Sequence, residues 1–99
     1  MPVTELITIG EAFEDLIFAS LDRLPKPGEE IRTPTLVRTV GGGAVITAIA
    51  GARLGLGCRV VSALSAPAAG RLRRERVGVL NVKRENEPHA VTAALSTAA

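Results

Sequence analysis

The sequence predicts an α/β fold. Three observations carry that expectation. Short apolar, β-branched runs alternate with helical stretches of small residues; a glycine triplet, Gly41-Gly42-Gly43, stands directly before the first such stretch; and a segment rich in Pro and Gly divides two strand-like runs into a hairpin.

Leu6-Ile7-Thr8-Ile9, closed by Gly10, is short and mostly apolar, which suits a central strand covered on both faces. Asp15 to Ala19 is a second such run. Between Asp22 and Glu30 stand Pro25, Pro27 and Gly28, the residues of turns. From Ile31 to Val40 the pattern alternates: Ile31, Thr33, Thr35 and Val37 point one way, and Arg32, Leu36 and Arg38 the other. Pro34 cannot donate to a ladder, so this is expected to be an edge strand paired with the run before it. Ala44 to Leu54 reads as a helix whose Ala44, Ala48 and Ala52 recur every four positions, a stripe small enough to approach a sheet closely. Arg53 and Gly55 supply its stop. Cys58 to Leu64 is again a strand, and Ser65 with Pro67 opens a second helix from Ala68 to about Val77. Val79 to Lys83 and Ala90 to Leu95 read as strands flanking the polar segment Arg84 to His89. This order requires at least one parallel crossover.

Ninety-nine residues, 10.3 kDa, fit one small domain that buries about 60–65% of its unfolded surface, which excludes a two-domain enzyme. Fifteen residues are Ala, only two are aromatic and Trp and Tyr are absent, so the core is expected to consist of Val, Leu, Ile and close Ala or Gly contacts, with modest stability. The net charge is +2, with the acids concentrated before residue 31 and the bases after it, a pattern that hints at a basic face. The single Cys58 excludes an intrachain disulfide, and one His with no Cys partner at ligand spacing gives no transition-metal site. A reducing, cytoplasmic setting is expected. The uncharged run Val40 to Ala52 is too short to span a bilayer and no signal pattern opens the chain, so no membrane partner is expected.

Two features could carry binding chemistry. Glycines ahead of a helix let a ligand approach the backbone where N–H groups are unpaired, although a flexible turn needs the same residues. The triplet matches neither a P-loop nor Gly-x-Gly-x-x-Gly. Asp15, five residues beyond Gly10, could aim a carboxylate into the crevice at the strand ends, or be a surface residue of a turn. Glu11 and Glu14 read as solvated. Arg71, Arg73, Arg74 and Arg76 read as a solvated helix face, because nucleic-acid binding would call for aromatic stacking partners. His89 reads as structural.

Ile7-Thr8-Ile9-Gly10-Glu11 with Asp15, then Leu24-Pro25-Lys26-Pro27-Gly28-Glu29, then Gly41-Gly42-Gly43 and Ala48 through Ala52-Arg53-Leu54-Gly55 resemble, in order and spacing, the N-terminal third of a pfkB (ribokinase-like) carbohydrate kinase. The resemblance implies a partial, doubly wound ribokinase-like sheet with β-hairpin lid strands at about 15–20 and 30–40, the whole of residues 1–99 forming one truncated module. It implies that Asp15 hydrogen-bonds sugar hydroxyls and that Gly41 and Gly42, with Gly43 beside them, let a sugar or nucleoside lie against the backbone. It further implies a homo-oligomer formed through exposed strands. The chain departs from the family's pattern at Ile46, where an Asn is usual, and at Ser65-Ala66-Pro67, where Gly-Asp-Asp is usual, and the helix before Gly78 is about a turn short. The family's catalytic Gly-x-Gly-Asp has no counterpart before Ala99. No catalytic residue, no metal and no cofactor are therefore expected in this chain, ATP and Mg belonging to the full-length family. A non-catalytic binding or dimerisation module, or a degenerate fragment without selected function, is the alternative.

Overall fold

Strand alternation, caps and turn residues divide the chain into β1 (Leu6–Ile9), β2 (Phe13–Leu21), β3 (Thr35–Gly41), α1 (Gly43–Arg53), β4 (Cys58–Ser62), α2 (Ala66–Arg74), β5 (Gly78–Asn81) and β6 (Val91–Thr97). The computed structural model describes residues 3–97. β1, β4 and β5 form a parallel sheet in the order β1-β4-β5, linked by crossovers through α1 and α2. β2, β3 and β6 form a second sheet in the order β3-β2-β6, with β3 antiparallel and β6 parallel to β2. The Cα radius of gyration is 15.9 Å, against about 13 Å for a compact chain of this length. Two small sheets joined at one seam account for the elongation.

The core lies between the parallel sheet and its helices. Cys58, Val60 and Ser62 alternate inward along β4 and meet Val45 and Ala48 of α1 and Ala68, Ala69 and Leu72 of α2. No aromatic ring is buried there, as the composition predicts. The buried stripe of α1 is Val45, Ala48 and Gly51, so the expected alanine stripe is right at Ala48 and rotated elsewhere: Ala44 and Ala52 flank it, half-buried. Ser65 caps α2, its Oγ accepting from the Ala68 N–H at 3.2 Å, with Pro67 in the first turn. α2 ends at Arg74, earlier than expected, because Arg76 turns the chain with φ 63° directly into β5.

Two expectations need correction. Among the described residues β1 is an edge strand rather than a central one, hydrogen-bonded to β4 alone, and its outward residues Ile7 and Ile9 are 56% and 77% exposed. On the same bare face Leu80 of β5 is also exposed. The run from Ile31 enters the ladder only at Thr35: Pro34 marks its start, and Thr33 instead donates its hydroxyl to the Ala19 carbonyl at 2.6 Å. From Thr35 the alternation and the edge position hold as predicted. Among the described residues no helix is long and apolar enough to cross a membrane.

Two contacts generate tests. Arg53, in the last turn of α1, donates to both oxygens of Glu75 at the C-cap of α2, at 3.0 and 2.6 Å. That hydrogen bond, opposed by partial desolvation and helped by the charges of Arg53 and Arg71, holds the Glu75 carboxyl below its ordinary value. A carboxyl lowered on folding stabilises above its unfolded value and loses that contribution as pH falls through the folded one. Glu75→Gln is therefore expected to lower the melting temperature at neutral pH and to converge with the parent below the ordinary glutamate range; a constant gap across that range would contradict the linkage. Gly42 has φ 106°, and a Cβ there would run into the Glu11 carbonyl. Gly42→Ala is expected to cost about 2 kcal/mol or more by urea denaturation, the sum of left-handed strain and a backbone collision.

Candidate functional site

β2 enters from the end of β1 through Glu11 and Ala12, and β3 leaves for α1 through Gly41 and Gly42. These two connections press together backbone to backbone: Gly42 lies against the Glu11 carbonyl and the Ala12 Cα, which only a residue without a side chain permits at that φ. Asp15 sits two residues into β2 from Phe13, which pairs with Gly41, and Asp15 itself pairs with Thr39 on β3 and Thr92 on β6. Its carboxylate lies directly over the Gly41 Cα, filling the space a Cβ would take. Beyond it, no atom crowds the Cα of Gly43, the first residue of α1. Sequence reasoning named Asp15, Gly41, Gly42 and Gly43, and the fold brings all four to one seam.

The seam presents hydrogen-bonding groups that the fold does not consume. Among the described residues, the Asp15 carboxylate takes no hydrogen bond from any side chain or backbone N–H. The Ile46 N–H donates to Gly42 as the first helical bond, at 2.9 Å, so the N–H groups preceding it point forward unpaired by the helix. An acceptor next to forward-pointing donors is chemistry suited to a neutral, hydroxyl-rich ligand. Ile46 follows Gly43 by three positions, shares its helix face and is 61% exposed. Its alkyl group offers that face neither donor nor acceptor. No three His, Cys, Asp or Glu side chains gather among the described residues to hold a metal ion.

Asp15 is not among the residues that line the cleft at the C-terminal ends of β1 and β4. Gly10, Ser62 and His89 line that cleft, of about 250 Å³, and Asp15 stands on the second sheet instead. A larger cavity, about 560 Å³, lies between Phe18, Leu95 and the loop carrying Pro25 and Ile31, on the sheet face opposite Asp15.

Glu14 was expected to be solvated and is not. Strand alternation sends it to the opposite face from Asp15, beneath the N-terminus of α2, where its side chain is 16% exposed. One of its oxygens accepts from Ser65 Oγ at 3.1 Å and the other lies 3.4 Å from His89 Nε2. A carboxylate at a helix N-terminus is well placed electrostatically, and through it β2, α2 and the segment before β6 are tied together. The signal that would have found Glu14 is its position immediately before Asp15 in a strand, which obliges the two acids to serve different faces.

No protein-family model matches the chain, and no curated protein does. Solved structures do. The chain is similar to ribokinase from Cryptococcus neoformans var. grubii serotype A in complex with ADP, at 24% identity and a TM-score of 0.75, over 99% of this chain and 32% of that one. It is similar to ribokinase from Thermotoga maritima, at 18% identity and a TM-score of 0.77, over 97% of this chain and 33% of that one. It is similar to phosphofructokinase-2 from Escherichia coli in complex with fructose-6-phosphate, at 21% identity and a TM-score of 0.71, over 96% and 31%. The chain spans about a third of the length of each. Its two sheets and two helices are a partial ribokinase-like fold.

Proposed function

We propose that this chain is the sugar-binding portion of a ribokinase-like carbohydrate kinase fold, holding a sugar or nucleoside between the Asp15 carboxylate and the backbone of Gly41 to Gly43. The observation that carries the reading is the placement of an unpartnered carboxylate over a glycine, beside open helix N-terminal backbone. Asp15 accepts from ligand hydroxyls, and the missing Cβ atoms let the ring lie close to the chain. Ile46 leaves a ligand hydroxyl unpaired, and each neutral hydrogen bond lost removes about 0.5–1.5 kcal/mol, so affinity falls in the millimolar range. Chemical-shift titration with a pentose and a nucleoside is expected to give saturable binding that Asp15→Ala abolishes and Ile46→Asn tightens. Binding that neither substitution alters places the site elsewhere.

Transfer of a phosphoryl group needs a base, an anion hole and charge neutralisation at the γ-phosphate, and these residues include no Gly-x-Gly-Asp to supply the first two. The chain alone is expected to release no ADP above background from ATP with any sugar.

The same reading extends to self-association. A parallel sheet is ordinarily covered on both faces, whereas Ile7, Ile9 and Leu80 stand bare on this one and the β1 edge is unpaired. Uncovered apolar edges recruit other chains. Light scattering at tens of micromolar is expected to show a dimer or larger species that Ile9→Lys dissociates; a monodisperse parent monomer would count against the proposal.

A further inference from the structure

The arginines of α2 do not all face solvent alone. Arg71 and Arg74, three positions apart, share a helix face, and across from them Arg38 leaves β3 on the side of the second sheet that carries Glu14. Together with Glu14, Val40 and Pro67, the three arginines line a pocket of about 260 Å³ between α2 and the sheet. The pocket is on the opposite sheet face from Asp15, so it is separate from the seam assigned to a sugar.

The charges in this pocket do not balance. Glu14 is its single carboxylate; Ser65 donates to one of its oxygens and His89 Nε2 lies 3.4 Å from the other. Arg71 is paired with Glu75 at 3.3 Å, and Arg53 binds the same carboxylate, so two arginines share one negative charge. Arg38 and Arg74 have no acidic partner among the described residues. Three arginines from two elements thus line one hollow, two of them with no acidic partner among the described residues. Planar guanidinium forks match the oxygen spacing of a phosphoryl group and bind it through paired, charge-assisted hydrogen bonds.

We propose that Arg38, Arg71 and Arg74 form a binding site for a small phosphoryl dianion, either inorganic phosphate or the phosphate of a monoester. The anion neutralises the cluster and bridges α2 to β3. Arg73 and Arg76, which belong to the same basic run but are absent from the pocket, take no part.

The test is a calorimetric titration of the full chain with inorganic phosphate and, separately, with glycerol phosphate, at constant ionic strength. Saturable binding is expected. It should weaken about tenfold or more in Arg38→Gln and in Arg74→Gln, the change a charge-assisted hydrogen bond carries, and stay within about twofold in Arg73→Gln, whose lost charge acts only through screened solvent. Circular dichroism of each exposed-arginine variant confirms that the fold is kept. Binding of the monoester alone with the same variant pattern also supports the site and assigns it an organic phosphate. Absence of binding by either probe overturns the proposal. So does equal weakening by Arg73→Gln, which reports diffuse attraction, and so does binding confined to duplex nucleic acid.

Discussion

The structure depends on one close approach of backbone to backbone, where Gly42 lies on Glu11 and Ala12. The chain crosses between its two sheets twice at this point, once leaving β1 and once entering α1. Neither crossing could be so short if a side chain stood between them. Because they touch, the second sheet is anchored at the C-terminal edge of the first, Asp15 comes to rest over Gly41, and α1 starts with its N-terminus aimed along the seam. The close packing of Ala48 and Gly51 against β4 then follows from where the helix is obliged to begin.

Strand alternation does the rest of the sorting. Glu14 and Asp15 are neighbours in sequence and occupy different chemical worlds: among the described residues nothing is bonded to the Asp15 carboxylate at the glycine seam, while Glu14 accepts from Ser65 and lies against His89 under the N-terminus of α2. The same alternation on β3 puts Thr39 with Asp15 and Arg38 with Glu14. A sheet only three strands wide therefore carries two unlike surfaces, one suited to hydroxyl groups and one surrounded by positive charge.

Local signals made much of this legible. Leu6–Ile9, the hairpin, both helices and the Ser65 cap were readable because each rests on near-neighbour chemistry: apolar alternation, turn residues, a capping hydroxyl. The four seam residues were readable through their spacing and resemblance. What was not readable depended on contacts distant in sequence. β6 was expected as a strand, but nothing local says that it pairs parallel with β2, since its Thr, Ala and Ser residues satisfy any ladder. The apolar character of β1 suggests cover on both faces, and the described residues supply only one. The strand beginning at Ile31 was drawn too long because Thr33 and Thr35 alternate correctly while Pro34 between them withholds a donor. Arg38 joined the α2 arginines only once the register of β3 was fixed, because those residues are more than thirty positions apart in the chain.

The placement of the two aromatic rings has a spectroscopic consequence. Phe13 and Phe18 both lie on β2, and the chain has neither Trp nor Tyr. Every near-ultraviolet aromatic band of this protein therefore originates in the second sheet, one ring on the Asp15 face and the other on the opposite face beside the large cavity. The α/β core, built from Val, Leu, Ala and a single thiol, is optically silent. Phenylalanine dichroism thus reads the order of one sheet in isolation, and amide dichroism reads the whole chain, so the two signals separate loosening of the sheet from unfolding without any label.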